Sequence, residues 1–294
     1  MKESADICFV VYSNETYFDL LELTLPFTIE NTRHLGVRIY VVSNKIPNGK
    51  KIFPNVNYID SQVNFCTGGG HFSQTMTKAL NSISEKYIFF LCDDYIIKSP
   101  VKKERFDNIT RILDVLDGDY ISFSTQKHLE FFINEWKRPD IDVEKFGFPK
   151  NSFFVFDDRA RHMYSVQPCV WKKDSLSKLL KHNPNISLHG LDNTDIMNMK
   201  GETRILSDFY NNSFYVDKPC FFDFGFKNYC VHFPLESYHV DEKPIGSDFF
   251  LLDYIEIVRH GKFLEPLVNS KIILTDILNS KLGLELKNKL SFFL

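Results

Sequence analysis

Six apolar residues, Tyr87-Ile-Phe-Phe-Leu-Cys92, run directly into two adjacent acids, Asp93 and Asp94. An unbroken apolar run of this length is the pattern of a strand covered on both faces, and such strands belong to parallel sheets with helices on either side. Carboxylates are almost never buried without a partner. Two of them closing a core strand therefore need a reason, either a loop pair that caps the next helix or turn or a ligand, and the carboxyl ends of the strands are where an open α/β sheet binds one. A divalent cation meets the need, because hard cations prefer carboxylate oxygens and often share them with phosphates.

The surrounding chain supports the same sheet. Ile7 to Tyr12, Val37 to Val42 and Val56 to Ile59 read as further strands, ending on Ser13-Asn14, Ser43-Asn44 and Asp60. Helical spacing fills the gaps: Tyr17 to His34, where Pro26 predicts a kink or break, then Phe72, Met76, Leu80 and Ile83 on one face, then Glu104 to Leu116. Tyr120 to Phe123 is a fifth strand. Strands alternating with helices predict an α/β fold with a mainly parallel sheet and right-handed crossovers. Tyr12, Asn14, Asn44, Asp60 and Asp93/Asp94 then gather at one sheet edge, a pocket suited to a nucleotide.

Beyond Ser124 the pattern changes. Residues 127–162 are irregular, aromatic and charged, with Trp136, Asp157, Asp158, Arg159 and Arg161. Tyr164 to Trp171 reads as a strand, Asp174 to Lys181 as a helix with Asp174 as its N-cap, and Asp192 to Met199 as a short helix. Strands are expected near Phe214–Val216 and Tyr229–Phe233. Leucines and isoleucines from Ile272 to Leu290 predict an amphipathic helix, for which docking on the domain is the default and a peripheral membrane contact the alternative.

Composition excludes several classes. With 44% hydrophobic residues and 29 Phe, the chain has ample material for a core and is not disordered. A net charge of −3 without a basic block argues against a nucleic-acid partner. The six cysteines form no C-x-x-C pair, and Cys8 and Cys92 fall within apolar runs. Reduced core thiols are expected rather than disulfides or zinc. Neither a leader pattern nor a stretch long enough to span a bilayer is evident, so a cytoplasmic protein, peripheral to a membrane at most, is expected.

Phe90-Leu-Cys-Asp-Asp-Tyr95, following its strand, resembles the Asp-x-Asp element of nucleotide-sugar glycosyltransferases with the GT-A fold. Aligned on the strand, Cys92-Asp93-Asp94 takes the place of that triplet, with Cys92 where the first acid would be. The resemblance implies that Asp94, with Asp93, ligates manganese or magnesium on the donor's diphosphate. A second segment, His189-Gly-Leu-Asp192-Asn-Thr-Asp195, resembles the Gly-Glu-Asp element of inverting members, with Leu191 replacing Glu. It implies that Asp192 deprotonates the acceptor hydroxyl, with Asp195 in reserve. Ser165 to Lys173 resembles the strand before that acid in bacterial sugar transferases. The resemblance covers roughly Ile7 to Met199. Relatives often complete the metal site with a C-terminal His, which makes His232 and then His239 the available ligands.

The implied protein is a GT-A-like (Rossmann-like) glycosyltransferase. Residues 1–240 form its catalytic domain, with a nucleotide-sugar half to about 125 and an acceptor half to 240. Residues 241–294 form a helical extension packed on that domain. Its partners are a nucleotide-sugar donor and a glycan or lipid-linked acceptor. Blander roles stand beside these: Asp192 as a helix cap, the histidines as core groups, Arg159 and Arg161 in solvated ion pairs rather than against a diphosphate or an anionic acceptor, and Trp136 in packing rather than stacked on a sugar ring. Gly68-Gly-Gly70 is a turn rather than a P-loop, although Thr67, His71 and Ser73 could approach the donor. Two other functions remain open. One is a non-catalytic carbohydrate- or protein-binding module on the same fold. The other is a sugar nucleotidyltransferase, disfavoured because Tyr12-Ser-Asn-Glu-Thr16 is no glycine-rich phosphate loop.

Overall fold

Tyr87–Cys92 forms strand β4, and every one of its side chains is buried. Ile88, Phe90 and Cys92 enter one apolar layer; Tyr87, Phe89 and Leu91 enter the other. Strand β1 (Ile7–Ser13) divides in the same way, with Cys8, Val10 and Tyr12 opposed to Ile7, Phe9 and Val11. A sheet apolar on both faces must be covered twice. Helices α2 (His71–Leu80) and α4 (Lys173–His182) cover the first face through Phe72, Met76, Leu176 and Leu180. Helices α1 (Phe18–Thr32) and α3 (Lys103–Leu116) cover the second through Leu21, Leu25, Phe106 and Ile109. There the rings of Phe9 and Phe89 stack at 4.9 Å, and Phe89 continues onto Phe123 at 5.6 Å.

The computed structural model describes residues 6–15, 17–48, 53–64, 71–97, 100–124, 140–148, 153–155, 168–188, 205–206, 214–215, 227–232, 254–256, 258–259 and 262–263. Its main sheet also contains β2 (Ile39–Ser43), β3 (Asn57–Asp60), β6 (Tyr120–Ser124), β7 (Phe153–Val155), β8 (Cys169–Lys172) and β11 (Asn228–His232), in the order β3-β2-β1-β4-β8-β6-β11-β7. The pairs β3/β2, β2/β1, β1/β4 and β6/β11 are parallel. This is the mostly parallel, helix-flanked, Rossmann-like arrangement of the expected GT-A-like class. The expected strand near Phe214 is β10 (Phe214–Tyr215), paired with β9 (Ile205–Leu206).

Several local expectations are corrected. Strand β8 is antiparallel to both neighbours, β4 and β6. It passes into α4 without a loop, since Lys172 ends the one and Lys173 begins the other. The N-cap position therefore falls on Lys172, which makes no side-chain cap bond, while Asp174 lies inside the first turn. There its charge still suits the helix dipole. Helix α1 runs without interruption through Pro26; burial of Leu21 and Leu25 on one side and Phe27 just beyond holds it against the missing hydrogen bond.

A short strand not read from the sequence, β5 (Tyr95–Ile97), follows the acid pair and pairs antiparallel with β12 (Tyr254–Glu256). Within 241–294 the described residues are thus strands rather than helix: β12, then β13 (Val258–Arg259) paired with β14 (Lys262–Phe263). The helix expected from Ile272 to Leu290 lies outside the described residues. Among the described residues, no helix is long and apolar enough to cross a membrane.

Cys8, Cys92 and Cys169 are buried. Burial, and then the nearby Glu85 carboxylate, push the Cys8 thiol far above its usual range, so it acts as a small core group. At the amino edge of the sheet, the Glu85 side chain is 2% exposed and meets Arg38 Nε at 2.5 Å. Arg38 is half exposed, so water shares in solvating the pair. Arg38→Ala is expected to cost about 2 kcal/mol in urea unfolding, less than for a fully buried pair but more than for a surface one.

Candidate functional site

Four parallel strands end on one edge of the sheet. The register sets Ser13 beside Ser43, and Ser43 beside Asp60. Cys92 lies opposite Tyr12, which brings Asp93 to the level of Ser13. From β4 to β3 the edge therefore reads Asp93, Ser13, Ser43, Asp60. Asp93 and Asp94 form the turn between β4 and β5, and both are partly buried.

Asp93 is gripped from two elements. The Ser13 hydroxyl donates to its Oδ2 at 2.6 Å, and the Thr24 hydroxyl of α1 donates to its carbonyl oxygen at 2.7 Å. Burial nevertheless pushes its carboxyl up to about 7, against the downward pull of the Ser13 bond and of a bond to its own backbone. Among the described residues no cationic side chain offsets that burial. A carboxylate drawn from water without a counter-charge is one that a hard cation would complete.

The acid pair fits such an ion on that observation. Among the described residues no cluster of three or more His, Cys, Asp or Glu is placed to hold a metal. Two carboxylates still suffice for magnesium-like ions, which take their remaining oxygens from water and substrate phosphates.

Cys92, in place of a first acid, is buried in the layer shared with Tyr12, Phe72 and Tyr95. Strand parity turns it to the core, as it turns Ile88 and Phe90. The edge is thus served by Asp93 and Asp94.

The residues expected to frame the nucleoside divide. Tyr12 is core: it is buried, with its ring edge-on to Phe72 at 5.0 Å. Asn44 is fully buried and works as a staple. Its Oδ1 accepts from the Glu15 backbone N–H at 2.9 Å, and its Nδ2 donates to Glu15 Oε1 at 3.2 Å and to the Val63 carbonyl at 3.3 Å. Asp60, partly buried, accepts from the N–H groups of Ile46 and Gln62 and so ties two edge loops together. Asn14 stands partly buried at the end of β1, its carbonyl accepting from Tyr17 N–H at 3.0 Å.

Ser73 is fully buried and donates to the carbonyls of Leu180 and Asn183, which locks α2 to α4 and removes it from any donor pocket. His71 is buried at the start of α2.

His232 closes β11 on the same edge. Phe90 pairs with Cys169, Cys169 with Ser122, and Ser122 with Cys230, which places His232 level with Cys92. Three strand spacings separate them, about 14 Å at roughly 4.8 Å each. Asp192, Asp195, Gly190, Leu191, Thr67, Gly68–Gly70, Trp136, Arg159, Arg161 and His239 lie outside the described residues.

Sequence reasoning missed Ser13, Thr24 and Glu15. Ser13 had a signal, one position before Asn14 at the end of an apolar strand. Thr24 had a weaker one, a lone hydroxyl among Leu20, Leu21 and Leu25.

No family model and no curated protein matches the chain. Solved structures match only loosely. The mannosyltransferase PcManGT from Pyrobaculum calidifontis, in complex with GDP-Man and Mn2+, is 9% identical over 99% of this chain and 81% of its own, with a TM-score of 0.42. The bifunctional IspDF from Campylobacter jejuni is 18% identical over 67% of this chain, with a TM-score of 0.35. The apo bifunctional glycosyltransferase WbbM is 11% identical over 62% of it, with a TM-score of 0.33. The chain spans about half of IspDF (48%) and about a third of WbbM (34%). Similarities this loose assign no function.

Proposed function

We propose that the protein is a glycosyltransferase that moves a sugar from a nucleotide-sugar donor to a hydroxyl of a glycan or lipid-linked acceptor, with manganese or magnesium as cofactor. The observation that carries this reading is the acid pair at the carboxyl end of the central parallel strand. One of its carboxyls is buried and backed by a hydroxyl, with no cation against it among the described residues.

Asp94 and Asp93 would hold the metal. When bound, such an ion would neutralise charge building on the departing diphosphate. Asn14 and the Glu15 carboxylate held by Asn44 would border the nucleoside, with Asp60 holding the neighbouring loops. His232 would line the same edge three strands away, and its distance makes it a weaker ligand than the acids. Asp192 would take the proton as the acceptor hydroxyl attacks, with Asp195 in reserve, for a single displacement that inverts the anomeric centre.

A thermal-shift panel of nucleoside diphosphates with manganese, magnesium or EDTA tests the donor site, since binding to the native state raises its melting temperature. The expected outcome is a shift with one nucleotide that needs the metal. Its absence with every nucleotide and both metals would favour the binding module over the enzyme.

A further inference from the structure

We infer that Thr24 and Ser13 are positioning residues that set the geometry of the Asp93-Asp94 turn toward a divalent cation carrying a nucleoside diphosphate; this rests on the donor-site reading above. Thr24 is 1% exposed in α1. A threonine inside a helix ordinarily returns its hydroxyl to a carbonyl three or four residues back. Here the distances to the Leu20 and Leu21 carbonyls are 3.3 and 3.4 Å, whereas the Asp93 carbonyl is at 2.7 Å. The single hydroxyl proton therefore goes to Asp93, and the helix exchanges a local bond for a tertiary one.

Ser13 makes the complementary choice. Buried at the end of β1, it is 3.3 Å from the Asn14 carbonyl but 2.6 Å from Asp93 Oδ2. One residue is thus fixed at its side chain from the sheet and at its backbone from the helix. Asp94, the next residue, takes its direction from that backbone.

The same helix continues along the segment after the acids. Asn31 Nδ2 donates to the Ile97 carbonyl at 2.7 Å, and the Asn31 carbonyl accepts from Val101 N–H at 3.0 Å. Helix α1 therefore binds both ends of the segment running from Asp93 to Val101, and only the Thr24 end touches the acid pair. That asymmetry separates positioning from plain stability. Hydrogen-bonded supports behind metal-ligating carboxylates typically govern metal affinity by about 10–100-fold.

The test is Mn2+ binding to the full chain, followed by loss of the free-ion EPR signal, with melting temperature measured alongside. Thr24→Val and Ser13→Ala should each weaken Mn2+ binding by about tenfold or more, while Thr24→Ser, which keeps the hydroxyl, stays within about threefold of wild type. Asn31→Ala should lower the melting temperature yet leave Mn2+ affinity within about threefold. The inference is overturned if wild type binds Mn2+ and Thr24→Val binds it equally well, or if Asn31→Ala loses as much affinity as Thr24→Val. A wild type that binds no Mn2+, either alone or with a nucleoside diphosphate, overturns the donor-site reading itself, and the inference with it.

Discussion

Asp94→Asn is expected to reduce metal-dependent transfer by at least about 10²–10³-fold in kcat/KM, read as nucleoside diphosphate released from the donor. Charge stabilisation at a leaving group is commonly worth that much. The substitution keeps the volume and removes only the charge, so the fold should persist with little change in melting temperature. Asp192→Asn serves as the contrast: a lost base should cost about 10²–10⁴-fold in rate yet leave the metal-dependent nucleotide shift intact. Should Asp94→Asn turn over at the wild-type rate, the acid pair is not the metal site. Should both variants lose the nucleotide shift, Asp192 is not acting as a base alone.

What could be read from the chain without a structure was governed by how local the cause was. Strands β1 to β4 and helices α1 to α3 each announce themselves within a dozen residues, through apolar runs or helical spacing. The carboxyl edge followed, because parallel strands must end together. Facing was harder. Asn44 and Asn14 look alike as polar residues after apolar strands, yet Asn44 is sealed in a staple on Glu15 and Asn14 stays partly buried at the rim.

Tyr12 and Cys92 could have been placed by parity, since each continues the alternate positions (Cys8, Val10; Ile88, Phe90) that enter one core layer. The antiparallel direction of β8 and the β5/β12 pairing had no local signature at all. Both depend on where distant segments return, and no spacing in the chain encodes that. Thr24 showed locally only as a lone hydroxyl among leucines, and its role could not be read because its partner, Asp93, lies 69 residues away.

Asp93→Asn is expected to stabilise the metal-free protein at neutral and alkaline pH while destroying its function. Its carboxyl is pushed up to about 7 by burial, from an ordinary value of 3.8. The native state therefore holds this proton more tightly than the unfolded chain, and the sign follows. Below about pH 4 both states are protonated and the residue carries no penalty. Between about pH 4 and 7 stability falls as pH rises, and above 7 the full cost remains. At about 1.4 kcal/mol per pH unit, the window corresponds to a cost on the order of 4 kcal/mol.

Asparagine cannot ionise, and its amide oxygen can still accept the Ser13 bond. Its advantage over wild type in EDTA should be near zero at pH 4 and reach that full value by pH 8, measured by urea unfolding at each pH. If the advantage is the same at every pH, the burial of Asp93 is not what it reports. Adding Mn2+ with the nucleotide that shifts wild type should erase the difference, because the counter-charge relieves the wild-type carboxylate and leaves the variant unaffected. If Mn2+ erases the difference, Asp93 is a residue kept at a cost to stability and relieved by a bound ion, as selection for function rather than for folding would produce.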